Sequence, residues 1–293
     1  MTDVIASPSV RALARSQGID LEALARDLDR TTIAREDLEG GAKPAAGPAA
    51  DTSYWDVDHS QFGPVTEEPM SRFAQIASAN LAAANALIPQ VTHHDRADMR
   101  AIEALRKELK AEGQARGVKL TALAFHVKAL ARALREFPRF NASLTPDGKT
   151  LVLKDYVHIG VAVDTAHGLM VPVIRDADTK GLWQIASEIA DLAGRAQNRK
   201  IKPDEMGGAS MSISNLGGIG GIGFTPIVNP PELAILGITR TETVTVWDGD
   251  TPRPVPMVPL DLSYDHRVVN GADAARFLSY FGSLLADPRR MMV

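Results

Sequence analysis

The chain has no cysteine in 293 residues. That excludes disulfides, thiolate metal sites and a cysteine nucleophile, and it fits a reducing compartment. If sulfur takes part in the chemistry, the substrates bring it. No apolar run approaches the ~20 residues that span a bilayer. Met1-Thr2-Asp3-Val4 lacks the basic and apolar regions of a secretory signal, so a cytoplasmic protein without a membrane partner is expected. There is no basic excess either: the net charge is −4, which offers no footprint for nucleic acid. What is present is 45% hydrophobic residues, enough for a sizeable core in one large and one small domain.

Two motifs invite readings that local chemistry rejects. Gly218-Ile219-Gly220-Gly221-Ile222-Gly223 matches G-x-G-x-x-G, but a dinucleotide fingerprint needs a helix to begin inside it. Here Phe224-Thr225-Pro226 and Asn229-Pro230-Pro231 follow and forbid that helix. The glycines are expected to allow tight turns instead, against a ligand or a neighbouring subunit. His93-His94 suggests a metal. Adjacent strand residues point to opposite faces, however, and no spaced carboxylate or third histidine lies nearby in sequence. Surface or packing histidines are expected, and no metal.

In chain order, Ser7-Pro8 pairs an N-cap with proline at the first helical position. Val10, Leu13 and Ala14 make an apolar stripe that Gly18 ends. Ile19, Leu21 and Leu24 lead to a second short helix with Thr32 as cap and Ile33 and Leu38 inward. Residues 5–39 are too few for a generous core, so a small, marginal all-α module is expected. Its Arg11, Arg15, Arg26, Arg30 and Arg35 form either a solvated face or a partner-binding patch. From Gly40 to Asp51 the composition is Ala, Pro and Gly without periodicity, a semi-extended linker placed at 40–53. Trp55, Phe62 and Pro64 mark an arm, 54–68, expected to lie on the domain that follows, 69–293.

That domain opens with a helix capped by Ser71 and running to about Leu87, then a strand from Ile88 to Asp95. Asp98 is expected to cap a charged helix bearing Met99, Ile102, Leu105 and Leu109. A more apolar helix, Thr121 to Glu136, should be buried on most sides. Strands are expected at 150–154, 157–164 and 169–174. A helix follows from Thr179 to Gln197, with Leu182, Ile185, Ile189 and Leu192 inward. Further strands are expected at 208–215, 232–239, 242–247 and 255–263, and a last helix at 271–286. With no strict β-α-β alternation, this order predicts an α/β sandwich with a largely mixed sheet.

The chain converges on Tyr264-Asp265-His266-Arg267-Val268-Val269-Asn270-Gly271. A Pro-punctuated apolar run, Val255 to Leu262, delivers this cluster as a strand. Behind it Ala274, Phe277, Leu278, Phe281, Leu284 and Leu285 recur at helical spacing. A histidine between an acid and a guanidinium at such a seam has neighbours able to set its tautomer and pKa. Taken alone, the commoner reading of such a histidine is structural.

Asp265-His266-Arg267-Val268-Val269-Asn270-Gly271 resembles the D-H-R-x-x-D/N-G signature of the 2-oxo acid dehydrogenase acyltransferases. Ser212-Ile213-Ser214-Asn215-Leu216-Gly217-Gly218-Ile219-Gly220-Gly221 is similar to that family's S-I-S-x-L-G-x-I-G-G segment. Gly160-Val161-Ala162-Val163-Asp164-Thr165 with Gly168-Leu169-Met170-Val171-Pro172-Val173-Ile174 resembles its paired core strands. Phe224-Thr225-Pro226-Ile227-Val228-Asn229 and Phe137-Pro138-Arg139-Phe140-Asn141-Ala142 also match. Ala6-Ser7-Pro8-Ser9-Val10-Arg11 with Gly18-Ile19-Asp20-Leu21 resembles its peripheral subunit-binding module. The Phe62-Gly63-Pro64 arm and the Ser214-Asn215-Leu216-Gly217 form look most like the acetyl-transferring, pyruvate-complex branch.

The resemblance implies a chloramphenicol-acetyltransferase-like fold, a two-layer mixed sheet with helices. It also implies homotrimers with the active site between neighbouring subunits, assembled into a cage of twenty-four or more chains. The implied reaction passes an acetyl group between dihydrolipoamide sulfur and coenzyme A sulfur, with coenzyme A and acetyl-CoA as substrates. No Asp-Lys lipoylation turn is present, so the lipoyl group is expected from a lipoyl domain elsewhere or on another chain. Carried over by position, His266 is the general base and Ser214 donates to the oxyanion from a neighbouring subunit. Asn270 hydrogen-bonds within the site, at a position where much of the family has Asp. Asp265, Arg267 and Gly271 support backbone and tautomer. The module would dock the dehydrogenase and dihydrolipoamide dehydrogenase components through Arg11, Arg15 and Arg30. It has Arg26-Asp27-Leu28-Asp29-Arg30-Thr31-Thr32 in place of the usual Gly-rich loop. Two other readings stay open: a catalytically silent cage or docking subunit, and a stand-alone acetyltransferase of a small hydroxyl acceptor.

Overall fold

A serine cap opens the first helix of each of the chain's two units, Met1–Glu68 and Pro69–Val293. The structure is a computed structural model and describes residues 4–27, 31–33, 37–38 and 55–291. In the first unit β1 (Ile5–Ala6) precedes α1 (Pro8–Gln17), where Ser7 Oγ accepts the Val10 N–H at 3.4 Å. Gly18 closes α1 at φ 68°, a left-handed conformation that carries no Cβ penalty for glycine. α2 (Leu21–Asp27) follows directly, and β2 (Thr32–Ile33) then pairs with β1 in parallel.

This corrects the all-α expectation. Thr32 lies in a strand, its backbone held opposite Ile5. A helix already begins at Leu21, where Asp20 Oδ1 accepts the Glu22 N–H, and beyond β2 Asp37 and Leu38 are again helical. Ile33 and Leu38 are buried with Val10 and Ala14. Arg11 reaches back to β1, donating from Nη2 to the Val4 carbonyl at 2.6 Å and from Nε to that of Ala6. Arg15 is exposed. Arg30, Arg35, the Arg26 side chain and the linker 40–53 lie outside the described residues. The arm contributes a short 3-10 turn, His59–Phe62, capped by Asp58.

In the second unit Ser71 Oγ accepts the Ala74 N–H at 3.2 Å to start α3 (Arg72–Leu87). β3 (Gln90–Asp98) leads into α4 (Arg100–Glu108), whose cap position is Met99 rather than Asp98. The Asp98 carboxylate nevertheless accepts the Arg100 N–H at 2.9 Å. A break at Leu109 starts α5 (Lys110–Arg116), and α6 (Ala122–Glu136) is buried along most of its length.

Short strands follow: β4 (Ala142–Leu144), β5 (Leu151–Leu153), β6 (Ile159–Val161), β7 (Val163–Thr165), β8 (Gly168–Met170) and β9 (Val173–Ile174). The continuous strands expected at 157–164 and 169–174 are therefore each split in two. β6 and β9 join the main sheet while β7 and β8 form their own hairpin. α7 (Leu182–Gln197), β10 (Met211–Asn215), β11 (Ala234–Ile238), β12 (Glu242–Asp248), β13 (Thr251–Asp265) and α8 (Gly271–Ala286) complete the unit.

The main sheet runs β12–β13–β11–β10–β6–β9, and β3 pairs with the second half of β13. β10 is parallel to β6 and β11, whereas β11, β12 and β3 are antiparallel to β13, so the sheet is mixed. Strand alternation gives it two unlike faces. Ile213, Leu236, Leu260 and Leu262 share the face that packs in the main core with α6 and α8. Ser212, Ser214, Asp261, Ser263, Thr92 and His94 share the other, which is polar.

One core residue does not fit its surroundings. His126 on α6 is 2% exposed, and neither ring nitrogen has a hydrogen-bond partner among the described residues. Burial, then the charge of Arg106, lowers its pKa from 6.5 to about 4. The unfolded chain therefore takes up this proton first as the pH falls, and stability is lost between about 6.5 and 4. His126→Leu is expected to stabilise the fold by about 1–3 kcal/mol at neutral pH, the cost of an unsatisfied buried polar group. The gain should widen at pH 5. Melting curves at both values check this, and an equal or negative shift at pH 5 rejects it.

Candidate active site

β13 ends in two residues with unlike tasks. Asp265 donates its N–H to the Leu233 carbonyl at 2.8 Å, and His266 donates its N–H to that of Pro89 at 3.1 Å. The Asp265 carbonyl then accepts from Val268 and Val269, turning the chain, and Val269 is buried beneath. The Asp265 carboxylate is itself buried. It accepts the Arg267 N–H at 3.0 Å, Nε at 2.9 Å and Nη2 at 2.6 Å. Both its oxygens are thus engaged by Arg267. Among the described residues the carboxylate makes no hydrogen bond to the imidazole, so Asp265 does not set the tautomer of His266. The strand ends at Asp265, and the turn that begins at His266 leaves the carboxylate buried and the imidazole exposed.

His266 is exposed on this fixed turn, and its ring makes no hydrogen bond among the described residues. The Tyr264 ring lies 5.9 Å away. Four residues on, Asn270 caps α8, with Oδ1 accepting the Asp273 N–H at 2.9 Å. That use leaves the two Nδ2 hydrogens of its exposed carboxamide available. A side chain at Gly271 would meet only Tyr264 Oη, at 3.8 Å, so the geometry does not demand glycine there.

Ser214 is half-buried near the end of β10. It pairs with Gly237, which pairs with Asp261. From Asp261 to the strand end at Asp265 the chain advances four residues, roughly 13 Å at about 3.3 Å each, and Ser214 lies two strands to the side. One chain therefore carries His266 and Asn270 on one turn and holds its own Ser214 well away from that turn.

The polar face contains a buried carboxyl that the sequence did not single out. Glu232 is 4% exposed, and its Oε1 accepts Ser212 Oγ at 2.9 Å and Asn229 Nδ2 at 3.2 Å. Its Oε2 has no partner among the described residues. Burial raises its pKa from 4.5 to about 7, against the hydrogen bonds from Ser212 and Asn229 and the charge of Lys154. A Cβ at Gly160 would stand 2.3 Å from Ser212 Oγ, which accounts for that glycine.

The absence of a nearby carboxylate, read along the chain, is also corrected. Asp261 sits directly across from His94 and accepts its Nδ1 at 2.6 Å. No cluster of three or more metal-binding side chains occurs among the described residues. The Gly218-to-Gly223 segment starts no helix, and Gly221 lies at φ 88°.

A cavity of about 610 Å³ opens between α4, α5 and the stretch from Gly117 to Leu120. Gly113 in its wall allows α5 to pack closely: a Cβ there would stand 2.8 Å from the Val118 carbonyl and 3.3 Å from the Trp183 ring. Arg106, Lys107, Lys110 and Lys119 line the cavity. Arg106 is paired with Glu103 at 2.7 Å, while the three lysines are exposed and make no ion pair among the described residues. Spread over two helices and a loop, they carried no sequence signal.

Residues 62–293 match the family of 2-oxoacid dehydrogenases acyltransferase (catalytic domain). The chain is 48% identical to the dihydrolipoyllysine-residue acetyltransferase component of the pyruvate dehydrogenase complex of Pseudomonas aeruginosa, over 99% of this chain and 55% of that protein. It is 46% identical to that of Cupriavidus necator, over 98% and 55%. It thus spans about half the length of these relatives. Among solved structures, the Azotobacter vinelandii dihydrolipoamide acetyltransferase superposes with a TM-score of 0.80 at 50% identity, covering 81% of this chain and 98% of that one. The cubic core of the pyruvate dehydrogenase multienzyme complex matches with the same figures. With an exposed histidine fixed at the strand-to-helix turn and a mixed sheet shared with these cores, the chain belongs to the 2-oxoacid dehydrogenase acyltransferase family.

Proposed function

We propose that this protein is a dihydrolipoamide acetyltransferase, exchanging an acetyl group between dihydrolipoamide and coenzyme A at sites completed between copies of the chain. One observation carries the reading. Ser214, His266 and Asn270 are spaced by 52 and four residues, as are the serine, histidine and asparagine studied in the catalytic mechanism of the Azotobacter enzyme. The distance between Ser214 and His266 within one chain argues that the serine comes from a neighbour, as in a closed symmetric oligomer.

In this mechanism neutral His266 takes the proton of the attacking thiol, and the thiolate adds to the thioester carbonyl. The Ser214 hydroxyl of a second copy donates to the resulting oxyanion. The carbonyl re-forms, the other sulfur leaves, and the imidazolium returns its proton to it. Asn270 offers its free Nδ2 hydrogens to the same centre. Because thioester exchange is nearly balanced, the chain's task is thiol activation, positioning and oxyanion stabilisation. Acetyl-CoA with dihydrolipoamide, followed as thioester transfer beside small alcohol acceptors, tests the reading. Transfer only to alcohols, or to neither, rejects it.

Coenzyme A carries phosphates, and the cavity offers three exposed lysines while its lining carboxylate, Glu103, is taken up by Arg106. We assign its phosphate end to Lys107, Lys110 and Lys119. Changing all three to Glu is expected to raise the KM for coenzyme A about 3- to 30-fold, exposed charge-assisted bonds being individually modest. The KM for dihydrolipoamide should stay unchanged. A parallel rise in both constants rejects the assignment.

By the same reading residues 5–39 dock the peripheral enzymes, lipoyl groups arrive on other domains, and trimers build a cage. The mass of the native particle tests the last point directly.

A further inference from the structure

His94 is an oriented imidazole on the same face of the sheet as Ser214. Residues paired across neighbouring strands point to the same side. One row here runs Ser214, Gly237, Asp261, His94 across β10, β11, β13 and β3. Asp261 is 2% exposed and faces His94 Nδ1 at 2.6 Å, while the His94 side chain is 57% exposed. A carboxylate at Nδ1 keeps the ring proton there in the neutral form, so Nε2 is a bare acceptor turned outward. Asp261 Oδ2 also accepts the Phe224 N–H at 3.1 Å. The Phe224 ring covers Gly237, where a Cβ would stand 2.8 Å from it. An apolar ring therefore lies between the Ser214 hydroxyl and the acceptor on His94. Three strand spacings of about 4.8 Å place that acceptor roughly 14 Å from Ser214.

This pattern suits an extended arm with its thioester at Ser214, an apolar stretch over Phe224 and a polar link farther on. We propose that His94, held by Asp261, anchors the acyl-carrying arm of a substrate by accepting an amide N–H at Nε2. Both thiol substrates of the proposed reaction carry amide N–H groups: two secondary amides in the pantetheine arm, and in dihydrolipoamide a primary amide at the position where a lysine-attached lipoyl group has a secondary one. The proposal rests on the reading of Ser214 given above, but it is tested without turnover.

The experiment is calorimetric titration of the intact protein and of His94→Phe with coenzyme A and with dihydrolipoamide. His94→Gln, which retains an acceptor, serves as the rescue variant. The exposed His94 side chain leaves room for either replacement, Asp261 keeps the Phe224 N–H in both, and a melting curve of each variant accompanies the titrations. Loss of one neutral hydrogen bond is expected to raise one dissociation constant about 3- to 12-fold, with Gln recovering part of it. A rise confined to coenzyme A assigns the pantetheine amide. A rise confined to dihydrolipoamide assigns the lipoyl amide, and dihydrolipoic acid, which lacks the N–H, should then bind both proteins alike. Unchanged constants for both thiols, or equal losses with Phe and Gln, overturn the proposal. Wild-type binding without any acetyl transfer would instead reject the proposed function and leave the role of His94 to be decided by the same titrations.

Discussion

His266→Ala is expected to lower acetyl transfer between acetyl-CoA and dihydrolipoamide by about 10²–10⁴-fold, the usual contribution of a positioned base. The loss should fall on kcat, with substrate affinities little changed, because the imidazole is assigned a proton-transfer role rather than a binding one. The particle should keep its native mass and melting temperature. The structure gives the reason: the ring is exposed and makes no hydrogen bond among the described residues, while backbone bonds to Leu233 and Pro89 and the Asp265–Arg267 pair hold the turn. Activity within tenfold of wild type would remove His266 from the mechanism. A variant that loses activity and assembly together would make its role structural.

Ser214→Ala should lower kcat by about 10²–10³-fold, or about 2.7–4 kcal/mol for one oxyanion donor. The informative measurement combines the two variants. If each site takes its histidine from one chain and its serine from another, neither homogeneous variant works. Particles built from equal amounts of His266→Ala and Ser214→Ala chains should nevertheless recover about a quarter of wild-type activity, the share of random neighbour pairs with both groups intact. A site contained in one chain would recover nothing. The strand register already points one way, since it sets Ser214 of a single copy two strands across and about 13 Å along the sheet from the end of β13 that carries His266.

Local chemistry was read correctly where it is sufficient. Ser7 and Ser71 cap the helices they were expected to cap, and the last helix spans Gly271–Ala286 as its apolar period required. Long-range pairing was not legible. Thr32 looks like a cap until Ile5 is placed beside it. The stretch from Val157 to Asp164 looks like one strand until β6 and β7 are seen to serve different sheets. The same limit applies at the site. Asp265 and His266 are neighbours in sequence and read as partners, but a strand end turns them apart and Arg267 takes the carboxylate. Asp261 stands 167 residues from His94 and faces it directly, a pairing that only the register of β3 on β13 creates. Glu232 also passed unnoticed, because nothing beside it along the chain tells of its burial.

Two buried groups now set opposing proton uptakes. His126 resists protonation in the fold, with a pKa of about 4 against 6.5, so it makes stability climb with rising pH. Glu232 keeps its proton longer when folded, to about 7 against 4.5, so it makes stability decline over its own range. Their spans overlap from about 4.5 to 6.5, where one slope offsets the other. Through mild acidification the contributions of these two residues, on different elements, therefore oppose each other.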